Sequence, residues 1–138
     1  MSEKAENTKR RIIEAAFDIT LNEGFDAATF TRLSKQAVIS RSGINTHFKR
    51  KEDLALELVS KYVEIIKQPL KFESAEAFYQ SWTEAFDNDS RFKKAILTAG
   101  PIIPKLDGVK GLFDSIQGDE QEVKSCVYKC VGYAVIHA

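Results

Sequence analysis

Apolar residues in the first part of the chain recur at steps of three and four. Between Ala5 and Glu23 this spacing is kept by Ile12, Ile13, Ala16, Phe17, Thr20 and Leu21. Such spacing places the side chains on one face of an amphipathic helix. Gly24 follows directly, and glycine is the residue that most often ends a helix. The pattern therefore predicts a helix over residues 5–23.

Two shorter helices are predicted next, each behind a hydroxyl residue that can cap it. Thr29 precedes a helical pattern over residues 30–37, and Ser40 precedes another over residues 41–48. Ser and Thr at these positions can accept a hydrogen bond from a free amide of the first helical turn. Two short helices joined by a tight turn have the outline of a helix-turn-helix.

The remaining elements are also predicted to be helical. A long helix is expected over residues 51–67, with an apolar stripe of Leu54, Leu58, Tyr62 and Ile65 or Ile66. Further helices are expected over residues 74–86, over 91–98 and from about residue 119, with roughly one helical turn at 112–116. Since no convincing pair of strands is present, the sequence predicts an all-α fold.

Composition is that of an ordinary globular protein, with 43% hydrophobic and 29% charged residues among 138. No apolar run is long enough for a membrane span, and the first residues are too polar for a signal peptide. We therefore expect a cytoplasmic protein without membrane contact.

The charges of the whole chain sum to zero, but they are distributed unevenly along the sequence. The 20 Lys and Arg residues equal the 20 Asp and Glu residues, whereas residues 27–51 contain six basic residues and no carboxylate. A stretch of this kind suits the phosphate backbone of nucleic acid. A solvated basic surface is the alternative.

Motifs for catalysis or metal binding are missing from the sequence. It contains no Walker loop, dinucleotide fingerprint or nucleophile elbow, so we predict no enzymatic activity, no cofactor and no metal. Cys126 and Cys130 are spaced by four, which suits two buried thiols better than a disulfide. A redox switch is the alternative; zinc is disfavoured because only His47 and His137 could join them.

A set of residues in the N-terminal part occurs in the order and spacing of a known domain. The set consists of Ile12, Ala15-Ala16, Phe17, Glu23-Gly24-Phe25, Thr29, Leu33, Ser40, Ile44, His47-Phe48, Lys51-Glu52 and Leu54. With these features, residues 8–59 resemble the N-terminal DNA-binding domain of the tetracycline-repressor (TetR) family.

This resemblance implies a three-helix DNA-binding domain with a helix-turn-helix, linked by a long fourth helix to a ligand-binding and dimerising body. The implied domains are residues 1–50 and a short helical regulatory and dimerisation domain, residues 51–138, which is either compact or truncated. The implied function is a transcriptional regulator, a repressor that binds a near-palindromic operator in double-stranded DNA as a homodimer and is released by a small-molecule effector.

Two positions depart from the family pattern. Val38 stands where glycine is common, and a β-branched residue is costly in the left-handed conformation, so we expect a different type of turn. Asn45 stands where the family usually has Tyr. An alternative function is therefore a helical dimerisation module whose degenerate helix-turn-helix binds DNA weakly or not at all.

Within the helix-turn-helix, Arg41 and Asn45 are the candidates for contacts with base edges in the major groove. Thr31, Arg32, Lys49 and Lys51 are the candidates for phosphate contacts. The complete predicted DNA-binding set is Thr31, Arg32, Ser40, Arg41, Ser42, Gly43, Asn45, Thr46, His47, Lys49 and Lys51.

Two further sets are predicted in the C-terminal part. An effector pocket or plain core is expected from the aromatic residues Phe78, Tyr79, Trp82, Phe86 and Phe92. A dimer interface, or packing within one monomer, is expected from the apolar stripe Val123, Val127, Val131 and Ala134 of the last helix.

Overall fold

The computed structural model describes residues 2–103 and 111–138, and every regular element in these ranges is helical. In chain order the helices are α1 (Glu3–Glu23), α2 (Phe30–Ala37), α3 (Arg41–His47), α4 (Lys51–Lys67), α5 (Ala75–Asn88), α6 (Ser90–Thr98) and α7 (Glu120–Ile136). A 3₁₀ turn spans Phe25–Ala27, and residues 111–114 are helical. The all-α prediction is confirmed.

Local capping explains where the helices begin. The hydroxyl of Thr29 accepts a hydrogen bond from the amide of Arg32 at 3.1 Å, and that of Ser40 accepts one from the amide of Gly43 at 3.1 Å. Both predicted caps are therefore present. The carboxylate of Asp89 caps α6, which begins at Ser90 and not at residue 91 as the periodicity suggested.

The turn between α2 and α3 differs from the prediction. Val38 adopts the left-handed conformation, with φ 56° and ψ 53°, so the expectation of a different turn type was wrong. The amide of Val38 bonds to the carbonyl of Ser34, and the amide of Ile39 bonds to the same oxygen at 3.1 Å. These two bonds close the end of α2, and the valine side chain remains 79% exposed.

Two compact units divide the chain, residues 1–61 and residues 62–138. The core of the first unit is formed by buried side chains of four helices, among them Ile12, Ala16, Leu33, Ile44, Leu54 and Leu58. This core fixes α1, α2 and α3 against one another. The assignment of separate functions to residues 1–50 and 51–138 stays a prediction.

An aromatic core holds the second unit together. The ring of Trp82 lies edge-on to Phe92, with centroids 5.5 Å apart, and Phe78 lies edge-on to Phe113 at 5.6 Å. Helix α5 supplies Phe78 and Trp82, and it packs against both α6 and α7. No helix in the described ranges is long and apolar enough to cross a membrane.

Candidate nucleic-acid interface

Helix α3 presents a polar face to solvent. Its one fully buried residue, Ile44, packs into the core of the N-terminal unit. Exposed side chains on this face are those of Arg41, Ser42, Asn45 and Thr46, and the capping residue Ser40 is exposed as well. Arg41 and Asn45 are separated by four residues, so they are neighbours on the helix surface. The two candidates for base contacts therefore lie side by side.

Gly43 is required by the packing of the turn. A Cβ atom at this position would lie 2.8 Å from Cγ2 of Ile39 and 3.2 Å from the hydroxyl oxygen of Ser40. Contacts this short would force the turn or the Ile39 side chain to move. The sequence analysis predicted Gly43 only as a member of the DNA-binding set, and the sequence did not reveal this internal reason for glycine.

Helix α2 contributes a second exposed group. Thr31 and Lys35 are both exposed and lie four residues apart on one face of this helix. Lys35 was counted in the basic segment but was not predicted as a contact. Lys49 is also exposed, in the segment between α3 and α4, and His47 is partly exposed.

Arg32, in contrast, is held by an acidic partner. Its Nη1 donates to Oε1 of Glu23 at 2.7 Å, and its Nη2 donates to Oε2 of the same carboxylate. This hydrogen bonding lowers the pKa of Glu23 and raises the pKa of Arg32 above its usual value. Both groups therefore stay charged, and the predicted phosphate contact of Arg32 has an internal competitor.

Lys51 also has partners within the N-terminal unit. Its ammonium donates to the carbonyl oxygen of Phe25 at 2.7 Å and lies 4.5 Å from the centroid of the Phe25 ring. The contact joins the first residue of α4 to the 3₁₀ turn after α1. The structure thus brings Thr31, Lys35 and Lys49 to the surface, while Arg32 and Lys51 make contacts within the unit.

The aromatic residues predicted for an effector pocket have different surroundings. Phe78, Trp82, Phe86 and Phe92 are buried, whereas Tyr79 is partly exposed. Of these five, Trp82 also lines an apolar cleft of about 520 Å³ in the C-terminal unit. Other residues that line the cleft are Ile66, Ile96, Leu97, Phe113, Val131 and Val135.

The four residues predicted for a dimer interface do not share one exposed face. Ala134 is buried within the C-terminal unit, Val123 and Val127 are partly exposed, and Val131 is 48% exposed. The large apolar side chains that α7 exposes are Tyr128, Val131, Val135 and Ile136.

The two cysteines are buried free thiols that face each other, with their Sγ atoms 3.9 Å apart. Burial raises the pKa of both thiols, which therefore remain protonated near neutral pH. Among the residues that the structure describes, no group of three or more His, Cys, Asp or Glu side chains could hold a metal ion.

Comparison with known proteins agrees with the geometry of the N-terminal unit. Residues 12–58 match the model of the bacterial regulatory proteins of the tetR family, a segment that runs from α1 into α4. No curated protein matches the chain. The matched segment contains the complete helix-turn-helix, α2 and α3 with their turn. This segment, about a third of the chain, is therefore similar to the N-terminal domain of the tetR family of bacterial regulatory proteins.

Proposed function

We propose that the protein is a cytoplasmic repressor that binds a near-palindromic operator as a homodimer, with α3 inserted in the major groove. The observation that carries the proposal is the outward face of α3, where polar side chains lie in a segment without carboxylates. A helix with such a face can approach base edges without repulsion from the flanking phosphates.

Arg41 and Asn45 supply the base contacts in this proposal. The guanidinium of arginine matches the two acceptors of guanine, and the amide of asparagine matches the donor and acceptor of adenine. Ser40, Ser42 and Thr46 are short polar neighbours, and Gly43 keeps the backbone close to the groove. Contacts of this kind let one helix-turn-helix recognise the sequence of a few base pairs.

Phosphate contacts come from residues on either side of α3. Thr31 and Lys49 are exposed and fit this role directly, with Lys35 as an addition. Lys51 and His47 take part through the first turn of α4 and the end of α3. Arg32 contributes a phosphate contact when a phosphate replaces its acidic partner, Glu23. These contacts set the register on the duplex and do not select its sequence.

The left-handed turn at Val38 favours DNA binding over the alternative of a degenerate interaction module. That alternative depended partly on the expectation that valine would impose another turn. With φ 56° and ψ 53°, Val38 keeps the conformation that glycine would provide at this position. This conformation supports a turn between α2 and α3 of the kind that glycine would allow.

Dimerisation and an effector complete the proposal. Two symmetric DNA-binding domains extend the recognised sequence beyond a few base pairs, and they require a palindromic site. Helix α7 is the proposed interface, through Val123, Val127 and Val131. The cleft beside Trp82 is the proposed effector site, because apolar clefts of several hundred Å³ suit small molecules.

Selection from a random duplex pool tests the proposed function. We expect enrichment of a near-palindromic sequence whose affinity falls steeply with salt concentration. The Arg41→Ala variant should fail to enrich it. The matched control is Lys124→Ala, which removes an exposed basic residue of the C-terminal unit and should enrich the same sequence. A folded parent protein that enriches no sequence would contradict the proposal.

A further inference from the structure

We propose that Glu23 competes with DNA phosphate for Arg32, so that the closed ion pair holds down the DNA affinity of the free protein. The inference rests on the proposed function, since it concerns the same DNA-binding surface. In the free protein the carboxylate neutralises Arg32. On the duplex the carboxylate still competes with a phosphate for the guanidinium, so the parent makes this phosphate contact only in part.

The geometry of the ion pair between Arg32 and Glu23 allows a phosphate to compete with the carboxylate. Both terminal nitrogens of the Arg32 guanidinium point at the two oxygens of one carboxylate, in the two-pronged arrangement that a phosphate would also use. The side chains of Arg32 and Glu23 are 42% and 46% exposed, so an incoming phosphate can reach the guanidinium. Arg32 also lies in the first turn of α2, beside the exposed Thr31.

The charge of the surroundings makes Glu23 the relevant acidic group. No carboxylate occurs between residues 27 and 51, and the hydrogen bonds between α2 side chains and carboxylates reach back to α1. Two carboxylates of α1 approach α2: Glu23 binds Arg32, and Asp18 accepts a 3.0 Å hydrogen bond from the amide of Gln36. Asp18 also acts on Arg32 through its charge, but the hydrogen bonds that the structure describes from the guanidinium to a carboxylate go to Glu23.

Exchange is feasible because the pair lies at the surface. Exposed ion pairs are weak, since water and salt screen both charges. Neither partner leaves the pair by changing protonation near neutral pH, because the hydrogen bond lowers the pKa of Glu23 and raises that of Arg32. A competing anion is therefore what opens the pair, and DNA supplies phosphates at high local concentration.

Replacement of Glu23 tests the proposal through the salt dependence of binding. Glu23→Gln and Glu23→Ala are compared with the parent on one duplex between 0.1 and 0.5 M salt. A complete phosphate contact steepens the slope of log affinity against log salt by about 0.9, so removal of the competing carboxylate should steepen it by up to this amount. Both variants should therefore bind more tightly, and the gain should shrink by up to about fourfold across this range.

Two further variants separate the pair from a general charge effect. Asp18→Asn removes the same charge from the same helix but leaves the pair intact, so its slope should equal that of the parent. In the Arg32→Ala background, Glu23→Gln should produce no steepening. Circular dichroism checks that each variant is folded.

The outcomes distinguish this inference from the proposed function. An unchanged or shallower slope for both Glu23 variants overturns the inference, and so does an equal gain for Asp18→Asn. In either case the parent still binds the duplex, and the proposed function stands. A parent that binds no duplex at any salt concentration overturns the proposed function, and the inference falls with it.

Discussion

The guanidinium of Arg11 in α1 donates a 2.6 Å hydrogen bond to the carbonyl oxygen of Ala37, the last residue of α2. The same group lies 3.4 Å from the carbonyl oxygen of Val38. The last carbonyls of a helix have no partner within it and carry partial negative charge, so a cation there is favourable. Arg11 thus supports the turn in which Val38 is left-handed.

Removal of this contact should destabilise the helix-turn-helix. We expect Arg11→Ala to lower the free energy of unfolding by about 1–2 kcal/mol, since a hydrogen bond to a charged group is lost. Chemical denaturation followed by circular dichroism measures the change. Arg10→Ala is the control, because Arg10 bonds locally to Asn7 on the same helix. Equal losses for both variants would contradict the role of Arg11.

Glycine at position 38 should stabilise the protein. The left-handed conformation costs a residue with a side chain roughly 1–2 kcal/mol, and glycine avoids this cost while losing about 0.5–1 kcal/mol in chain entropy. We therefore expect Val38→Gly to raise the melting temperature by a few degrees. Val131→Gly is the matched control: it introduces the same change within α7 and should lower the melting temperature. A decrease for Val38→Gly would show that the turn tolerates valine without strain.

Alanine at position 43 should destabilise the turn although alanine favours helices. The added methyl group would lie 2.8 Å from Cγ2 of Ile39, and we expect a loss of roughly 1–3 kcal/mol, as in other overpacked sites. Gly132→Ala in α7 is the matched control. A Cβ there meets no atom within 4 Å, so this variant should gain up to about 1 kcal/mol. If both variants gain stability, Ile39 adjusts without cost.

Loss of a base contact should weaken binding in a way that depends on the DNA sequence, whereas loss of a phosphate contact should not. We expect Arg41→Ala and Asn45→Ala to weaken binding to the selected operator by roughly 1–3 kcal/mol, with a smaller loss on random duplex. Lys49→Ala should weaken binding to both duplexes alike and make the salt slope shallower by about one unit. Fluorescence anisotropy with the two duplexes measures these changes. Equal losses on both for Arg41→Ala would assign Arg41 to the backbone.

Charge placed on the exposed face of α7 should prevent dimerisation. Val131 is 48% exposed, so Val131→Glu should leave each monomer folded while an apolar interface becomes unfavourable. Sedimentation at micromolar concentration should show a dimer for the parent and a monomer with weaker operator binding for the variant. Lys124→Glu on the same helix serves as the control for added charge. A parent that is monomeric with and without DNA would rule out the proposed dimer.

Local signals explain why much of the fold could be predicted from the sequence. Helices α2 and α4 have the predicted bounds, because Thr29 caps the first and the apolar stripe of the second runs without interruption. The sequence left open whether Ile65 or Ile66 belongs to the stripe, and the structure answers this: Ile66 is buried and Ile65 is not. Caps and periodicity act within a few residues and can be recognised from the sequence.

Contacts between distant residues explain what could not be predicted. The prediction that Val38 avoids the left-handed region follows from the conformational preference of valine alone. In the structure Arg11, 27 residues earlier, supports the left-handed conformation. The sequence predicts a phosphate contact for Lys51 and gives no sign of its contact with Phe25, 26 residues earlier. Arg32 likewise has the correct charge for DNA, and only the folded structure shows that Glu23 reaches it.

Burial of both native thiols has a practical consequence for labelling. Cys126 and Cys130 are the only cysteines of the chain, and at neutral pH neither presents the reactive thiolate to solvent. A cysteine introduced at the exposed Glu14, outside the predicted DNA-binding set, would therefore react with a maleimide dye far faster than either native thiol. A fluorophore could thus be attached to α1 while the exposed face of α3 stays unaltered, and its signal would report on the binding of DNA to the N-terminal unit.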